Sequence, residues 1–150
     1  MISRKHGHGK QSNLEEKTYL ELLQTTDRLT RGVASVLKND ELSVTQYNVL
    51  RILRGSPEGL PCGEIGRRLI TREPDITRLL DRMEKRGLIS RCREAKDRRT
   101  VLTRITGAGL DTVNGLDAPI LALHRMQLGH LGREHLLSLT NLLREARRQP

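Results

Sequence analysis

Aromatic side chains are almost missing from this 150-residue chain, which has two Tyr, no Phe and no Trp. Any core must therefore be aliphatic, and helices packed through leucine are the natural way to build one. Cysteine is equally scarce. Cys62 and Cys92 are the only two, and neither shows CxxC or metal-ligand spacing, so no disulfide framework and no metal site is predicted. A run of about 18 apolar residues, the minimum for a membrane-spanning helix, does not occur, and residues 1–17 lack the apolar stretch of a signal peptide. These absences predict a cytoplasmic protein with no membrane partner. There is also no Gly-rich phosphate loop, no G-x-S-x-G and no H-E-x-x-H, so the sequence reads as no enzyme and implies no cofactor.

What the chain has in excess is positive charge. Lys and Arg number 27 against 18 Asp and Glu, a net +9, and an anionic partner follows from that balance. The excess is not evenly spread. From Leu60 to Ile105 there are 13 basic and 7 acidic residues, so less than a third of the chain carries +6 of the +9.

That stretch also has the most organised pattern. Leu60, Ile65 and Leu69 form a short apolar-periodic segment, and Arg72-Glu73-Pro74-Asp75 has the composition of a helix start. Ile76, Leu79, Leu80 and Met83 then recur at helical spacing, and Gly87 ends the run. Two strand-like runs, 88–93 and 100–105, follow, joined by the polar tip Glu94-Ala95-Lys96-Asp97-Arg98-Arg99. Helix, turn, helix, hairpin is the order of a winged helix-turn-helix. With the apolar residues turned inward, the second helix presents Asp75, Arg78, Asp81, Arg82 and Lys85 on its outer face. Arg78 and Arg82 lie one turn apart there, and guanidinium forks on a helix suit guanine edges in a major groove or the phosphates beside it. The plainer alternative for such a run is a solvated, salt-bridged face. Lys96, Arg98 and Arg99 in a loop directly after the helix shift the balance towards DNA, because they can reach phosphates or a minor groove.

The run Asp75-Ile76-Thr77-Arg78-Leu79-Leu80-Asp81-Arg82-Met83-Glu84-Lys85-Arg86-Gly87-Leu88-Ile89, then Asp97-Arg98-Arg99 and Arg104-Ile105-Thr106-Gly107-Ala108-Gly109, resembles the MarR family of bacterial transcriptional regulators. The resemblance extends to 42–50 and, more loosely, across residues 14–146. It implies a homodimer that binds a pseudo-palindromic operator on double-stranded DNA, often as a repressor, and is released by a small-molecule effector or by cysteine oxidation. It also implies that Arg78 and Arg82 are recognition-helix contacts and that the Asp97-Arg98-Arg99 tip is the wing. Some relatives in that family sense peroxides through a cysteine in the first helix; residues 1–41 contain none, which argues against that branch.

The flanks read as leucine-lined helices. Residues 1–12 form a Gly- and Lys-rich basic arm, expected to be disordered, in which His6 and His8 could at most hold a metal weakly. The first helix is predicted to start at Ser12 or Asn13, each followed three residues later by Glu, and to carry Leu14, Leu20, Leu23, Leu29, Val33 and Leu37. Ser43-x-x-Gln46 is a capping box for the next helix, with Leu42 and Tyr47 at staple spacing. Thr106 is the predicted cap of a long helix through Leu110, Val113, Leu116, Ile120, Leu123 and Met126, which Gly115 and Pro119 should weaken or bend. After Gly129 to Gly132 a last helix carries Leu136, Leu139, Leu142, Leu143 and Ala146.

The predicted fold is thus mainly α with a small β-hairpin, one domain over 13–150. A winged helix-turn-helix over 42–106 is flanked by helices over 13–38 and 107–148, which the family resemblance makes dimerisation helices. The candidate DNA-binding residues are Asp75, Thr77, Arg78, Arg82, Lys85, Lys96, Arg98 and Arg99. The candidate dimer contacts are Leu20, Leu23, Leu136, Leu139 and Leu143, from leucine stripes longer than one subunit needs. A rival reading is a winged-helix module for sequence-independent DNA binding or for protein assembly.

Overall fold

The computed structural model describes residues 13–148. The basic arm and its histidines lie outside the described residues. Six helices and three strands follow in the order α1 (Leu14–Leu37), α2 (Val44–Arg54), β1 (Leu60–Pro61), α3 (Cys62–Arg68), α4 (Ile76–Lys85), β2 (Ile89–Arg93), β3 (Val101–Ile105), α5 (Gly107–Leu128) and α6 (Gly132–Arg147). Short 3-10 turns, Lys38–Asp40 and Gly129–Leu131, follow α1 and α5.

Side-chain caps set most of the helix starts. Asn13 caps α1, accepting from the Glu15 and Glu16 amides at 3.1 and 3.3 Å. Ser43 and Gln46 close the expected capping box on α2, each side chain accepting from the other's backbone N–H at 3.1 and 3.0 Å. Leu42 and Tyr47 are both buried against the start of that helix, as the staple requires. At the end of α4, Gly87 takes φ +74°, its N–H donates to the Glu84 carbonyl and the Leu88 N–H to that of Met83. This is the Schellman ending, and the left-handed backbone explains the glycine.

One element departs from the sequence reading. Leu60 does not open the helix that carries Ile65; with Pro61 it forms β1, paired antiparallel with β3 through Leu60–Thr103 and Pro61–Leu102. The sheet is therefore three-stranded, in the order β1-β3-β2, and the hairpin is its larger part. Two residues are too short to show an alternating pattern, so the signal for this strand was absent rather than misread. The long helix α5 runs without a break through Gly115 and Pro119.

The core is aliphatic as expected. Val49, Leu50 and Leu53 of α2, Ile65 of α3, Leu80 and Met83 of α4 and Val113 of α5 are all fully buried, joined by Leu37 at the end of α1. Apart from Leu37 no residue of α1 is fully buried, although Val33 and Val36 pack against the core, and α6 fully buries none of its residues.

Gly109 and Gly115 of α5 make opposite predictions. A Cβ on Gly109 would collide with the Leu88 carbonyl oxygen and lie 2.9 Å from Ile105 Cγ1, so Gly109→Ala should cost roughly 2 kcal/mol or more. A Cβ on Gly115 meets nothing within 4 Å, and Gly115→Ala should gain about 0.5 to 1 kcal/mol from helix propensity alone. Denaturant titration of the two variants should place their midpoints on opposite sides of the parent's.

Candidate nucleic-acid interface

The second helix of the helix-turn-helix pair is α4, and its orientation follows from what it buries. Leu79, Leu80 and Met83 face the core, so Thr77, Arg78, Arg82 and Lys85 are left exposed on the far side. Asp75 sits at the N-cap, where its side chain accepts from the Arg78 amide at 3.1 Å and lies 3.7 Å from Arg78 Nε. Glu73 caps one step earlier, accepting from the Asp75 amide at 3.1 Å. The start of the helix is thus held by two of the chain's own carboxylates.

Asp81 does not belong to the outward face on which the sequence pattern placed it. It turns to the sheet and, with Glu84, receives the Arg91 guanidinium: Arg91 Nη2 donates to Asp81 Oδ1 and, at 3.0 Å, to Glu84 Oε1. Glu84 Oε2 also accepts from the Arg91 amide at 2.9 Å. Because β2 is an edge strand, this carboxylate occupies an N–H that would otherwise point to open solvent. Helical periodicity separates inside from outside but not the flank that meets a neighbouring strand, which is why Asp81 was misassigned.

The wing tip is held by polar contacts. Asp97 accepts from the Arg99 amide at 3.0 Å and from Thr100 Oγ1 at 3.1 Å, so its carboxylate shapes the loop. Arg93 Nη1 donates to the Arg98 carbonyl at 2.8 Å, and the Glu94 amide to the Thr100 carbonyl at 2.9 Å. Lys96, Arg98 and Arg99 are exposed.

The basic residues of this segment fall into two groups. Arg67 and Arg68 bind Glu64, Arg86 donates to the Asp40 and Glu41 carbonyls, Arg91 binds Asp81 and Glu84, and Arg104 donates to the Glu58 carbonyl. With Arg93, these hold the fold together. Arg82, Lys85, Lys96, Arg98 and Arg99, and Arg72 in the turn before α4, have no side-chain acceptor among the described residues. The unengaged group is the basic sequence candidates other than Arg78, which lies beside Asp75, together with Arg72, which lies before the periodic run and gave no signal there.

The MarR family pattern matches residues 42–101, from the start of α2 to the second wing strand. A MarR transcription factor from Planctomyces limnophilus, known as a crystal structure, is 36% identical and has a TM-score of 0.68, covering 96% of this chain and 98% of that one. The chain belongs to the MarR family. It is a transcription regulator and not an enzyme. The homoprotocatechuate degradative operon repressor of Escherichia coli is 26% identical over 132 residues, 88% of each chain. A MarR mutant from Escherichia coli, solved in complex with operator DNA, has a TM-score of 0.78 over 90% of this chain and 96% of that one, and at 20% identity it shows the same fold.

The MarR fold of this chain is tied together outside α4 by contacts that sequence spacing could not show. Arg54 of α2 donates from Nη1 and Nη2 to Asp117 of α5 at 2.8 and 3.1 Å, and from Nη1 to Asn114 at 2.9 Å. Thr106 caps α5 by accepting from the Gly109 amide at 3.1 Å, and its hydroxyl donates to the Gly87 carbonyl at 2.6 Å. The end of the recognition helix and the start of α5 thus share one threonine. Cys62 is half-buried at the start of α3, and Cys92 is exposed on β2, where Arg104 Nη1 lies 3.2 Å from its sulfur. Among the described residues no group of His, Cys, Asp and Glu is placed to hold a metal, and no helix is long and apolar enough to cross a membrane.

The ion pairs carry a pH dependence. Hydrogen bonds from Arg91 hold the Glu84 carboxyl below the ordinary carboxylate range, and those from Arg54 do the same for Asp117. A carboxyl whose folded pKa is lowered contributes stability that is present above its unfolded pKa and is lost as pH falls through the folded one. Glu84→Gln should therefore lower the melting temperature at pH 7, with the gap to the parent closing as the pH drops below about 4. Thermal melts of both proteins across pH 3 to 8 check the sign; a gap that widens in acid contradicts it.

Proposed function

We propose that this MarR-family protein is a homodimeric repressor that reads a pseudo-palindromic operator and is released from it by a small-molecule effector. The observation that carries the DNA-reading part is the division of bases just described. Arg82 and Lys85 on the outer face of α4, and Lys96, Arg98 and Arg99 on the wing, are exposed and unengaged, whereas neighbouring guanidiniums are committed to the fold. In this reading Arg78 and Arg82 contact guanine edges, with Asp75 and Thr77 beside them at the start of the helix, while Lys85 and Lys96 contact phosphates. One of Arg98 and Arg99 enters the minor groove beside each half-site, drawn by the negative potential of narrow A·T tracts.

The dimer reading rests on the terminal helices. Leu20, Leu23 and Leu139 are exposed, Leu136 and Leu143 are only half-covered, and α6 has no buried residue. Such stripes are covered by a second copy, which sets the two α4 helices about 34 to 36 Å apart, one turn of B-DNA. The effector and the repressor output rest on family membership and on the Escherichia coli relative, a repressor of a degradative operon.

Operator selection from random duplexes tests this reading, together with light scattering, which should give twice the 17.0 kDa chain mass. A palindromic site should emerge. Arg78→Ala or Arg82→Ala should cost about 1 to 3 kcal/mol on it and relax preference at one position, whereas Lys85→Ala or Lys96→Ala should weaken all duplexes and reduce the salt slope by about one. Uniform coverage of any duplex would instead favour the rival module that binds without sequence preference, and a monomer mass at micromolar concentration would sink the dimer.

For the wing, Arg98→Ala or Arg99→Ala should lower operator affinity several-fold with little change in melting temperature. Replacing flanking A·T pairs by G·C should hurt the parent more than those variants. Both variants binding as tightly as the parent at physiological salt would remove the wing from the interface.

A further inference from the structure

We infer that Arg91 is the positioning residue that makes the recognition helix and the wing a single rigid reading head, through the Asp81 and Glu84 carboxylates of α4. The inference rests on the DNA-reading role proposed above and adds to it a residue that need not touch DNA. Three contacts carry it. The guanidinium donates to both carboxylates, and the Glu84 carboxylate returns to the Arg91 amide at 2.9 Å, so one acid holds both the backbone and the side chain of the same strand residue. Arg91 is the middle residue of β2, paired across the sheet with Thr103, which is itself buried. The strand thus has a fixed pairing on one edge and the clamp on the other.

Geometry favours this pair over an ordinary surface bridge. The Arg91 side chain is 24% exposed and its acids Asp81 and Glu84 are 47% and 39%, so solvent competes less here than at Arg31 and Asp27 of α1, a solvated pair at 75% and 66%. The Asp81 charge beside it opposes ionisation of Glu84, yet hydrogen bonds from Arg91 hold the Glu84 carboxyl below its ordinary range, so the guanidinium outweighs the neighbouring acid there. Beyond Arg91 the strand runs only to Arg93 before the tip, and Arg93 in turn grips the Arg98 carbonyl. A displacement of β2 relative to α4 would therefore be passed directly to Arg98 and Arg99. With the clamp closed, wing contacts are made without a separate ordering cost when α4 docks; with it open, the wing must be ordered at the moment of binding.

The test uses the full-length protein, with Arg78→Ala and Arg99→Ala made in the parent and in an Arg91→Met background. The selected operator serves as probe. Arg91→Met alone should weaken operator binding by about 3- to 10-fold without changing the salt slope, because Arg91 is engaged with carboxylates and not with phosphate. The penalty of Arg99→Ala should shrink in the Arg91→Met background, while that of Arg78→Ala stays as it was. General destabilisation does not produce that selectivity. A salt slope reduced by about one would make Arg91 a phosphate contact, and an undiminished Arg99→Ala penalty would leave the wing independent of the clamp; either result overturns the inference. Amide hydrogen exchange on the DNA-free protein judges the clamp separately from the DNA reading. Arg91→Met and Glu84→Gln should speed exchange in residues 89–105 and leave the α2 and α5 amides unchanged, even if no operator is found. Wing amides that exchange as in the parent would refute the clamp.

Discussion

Burial of Leu80 and Met83 decides which way α4 faces, and the surface chemistry of the protein follows from that orientation. Both side chains are fully excluded from solvent among Val49, Leu50, Leu53, Ile65 and Val113. In a core without Phe or Trp each aliphatic contact is small, so the fit depends on many branched side chains meeting at native density. Rotating α4 by one residue would expose Leu80 or Met83 and bury Arg82 or Arg78. Burying an unpaired guanidinium costs far more than any DNA contact returns, so the orientation is held from both sides.

The structure then separates positive charge that holds the fold from positive charge left for a ligand. Arg54, Arg67, Arg68, Arg86, Arg91 and Arg104 find acceptors within the chain. They are planar forks with several donors, which suits them to bridge a carboxylate or a pair of carbonyls, and among the described residues no lysine takes such a role. Arg72, Arg82, Lys85, Lys96, Arg98 and Arg99 turn their charge towards solvent, where it is most useful for attracting a polyanion. Net charge alone therefore overstates the basic surface of residues 60–105.

How much of this was legible in the sequence depends on the length scale of each signal. Ser43-x-x-Gln46, Thr106 and Gly87 act within four residues, and each does in the structure what its spacing implied. The apolar face of α4 and the outward position of Arg78, Arg82 and Lys85 were legible for the same reason, because helical periodicity is a local property. The pairing of Leu60 with Thr103, the turn of Asp81 towards Arg91 and the Arg54–Asp117 bridge were not, since each joins residues that only the fold brings together. Family resemblance supplied the fold around these contacts but not the contacts themselves. Arg72 was missed for a different reason: it lies in a turn, outside any periodic run, and its freedom is visible only once its neighbours' partners are known.

Long-range contacts also join the segment around α4 to the elements that flank it in sequence. Arg86, at the C-cap of α4, grips the Asp40 and Glu41 carbonyls where α1 gives way to α2, and Glu41 there takes the left-handed φ of 53° that turns the chain. On the other side, Arg54 ties α2 to Asp117 and Asn114 of α5, and Thr106 ties the Gly87 carbonyl to the first turn of α5. The C-terminal end of α4 is therefore connected by hydrogen bonds to the turn that follows α1 and to the start of α5. Each tie is partly exposed and individually modest, so α4 is oriented by the sum of several contacts rather than by any one of them.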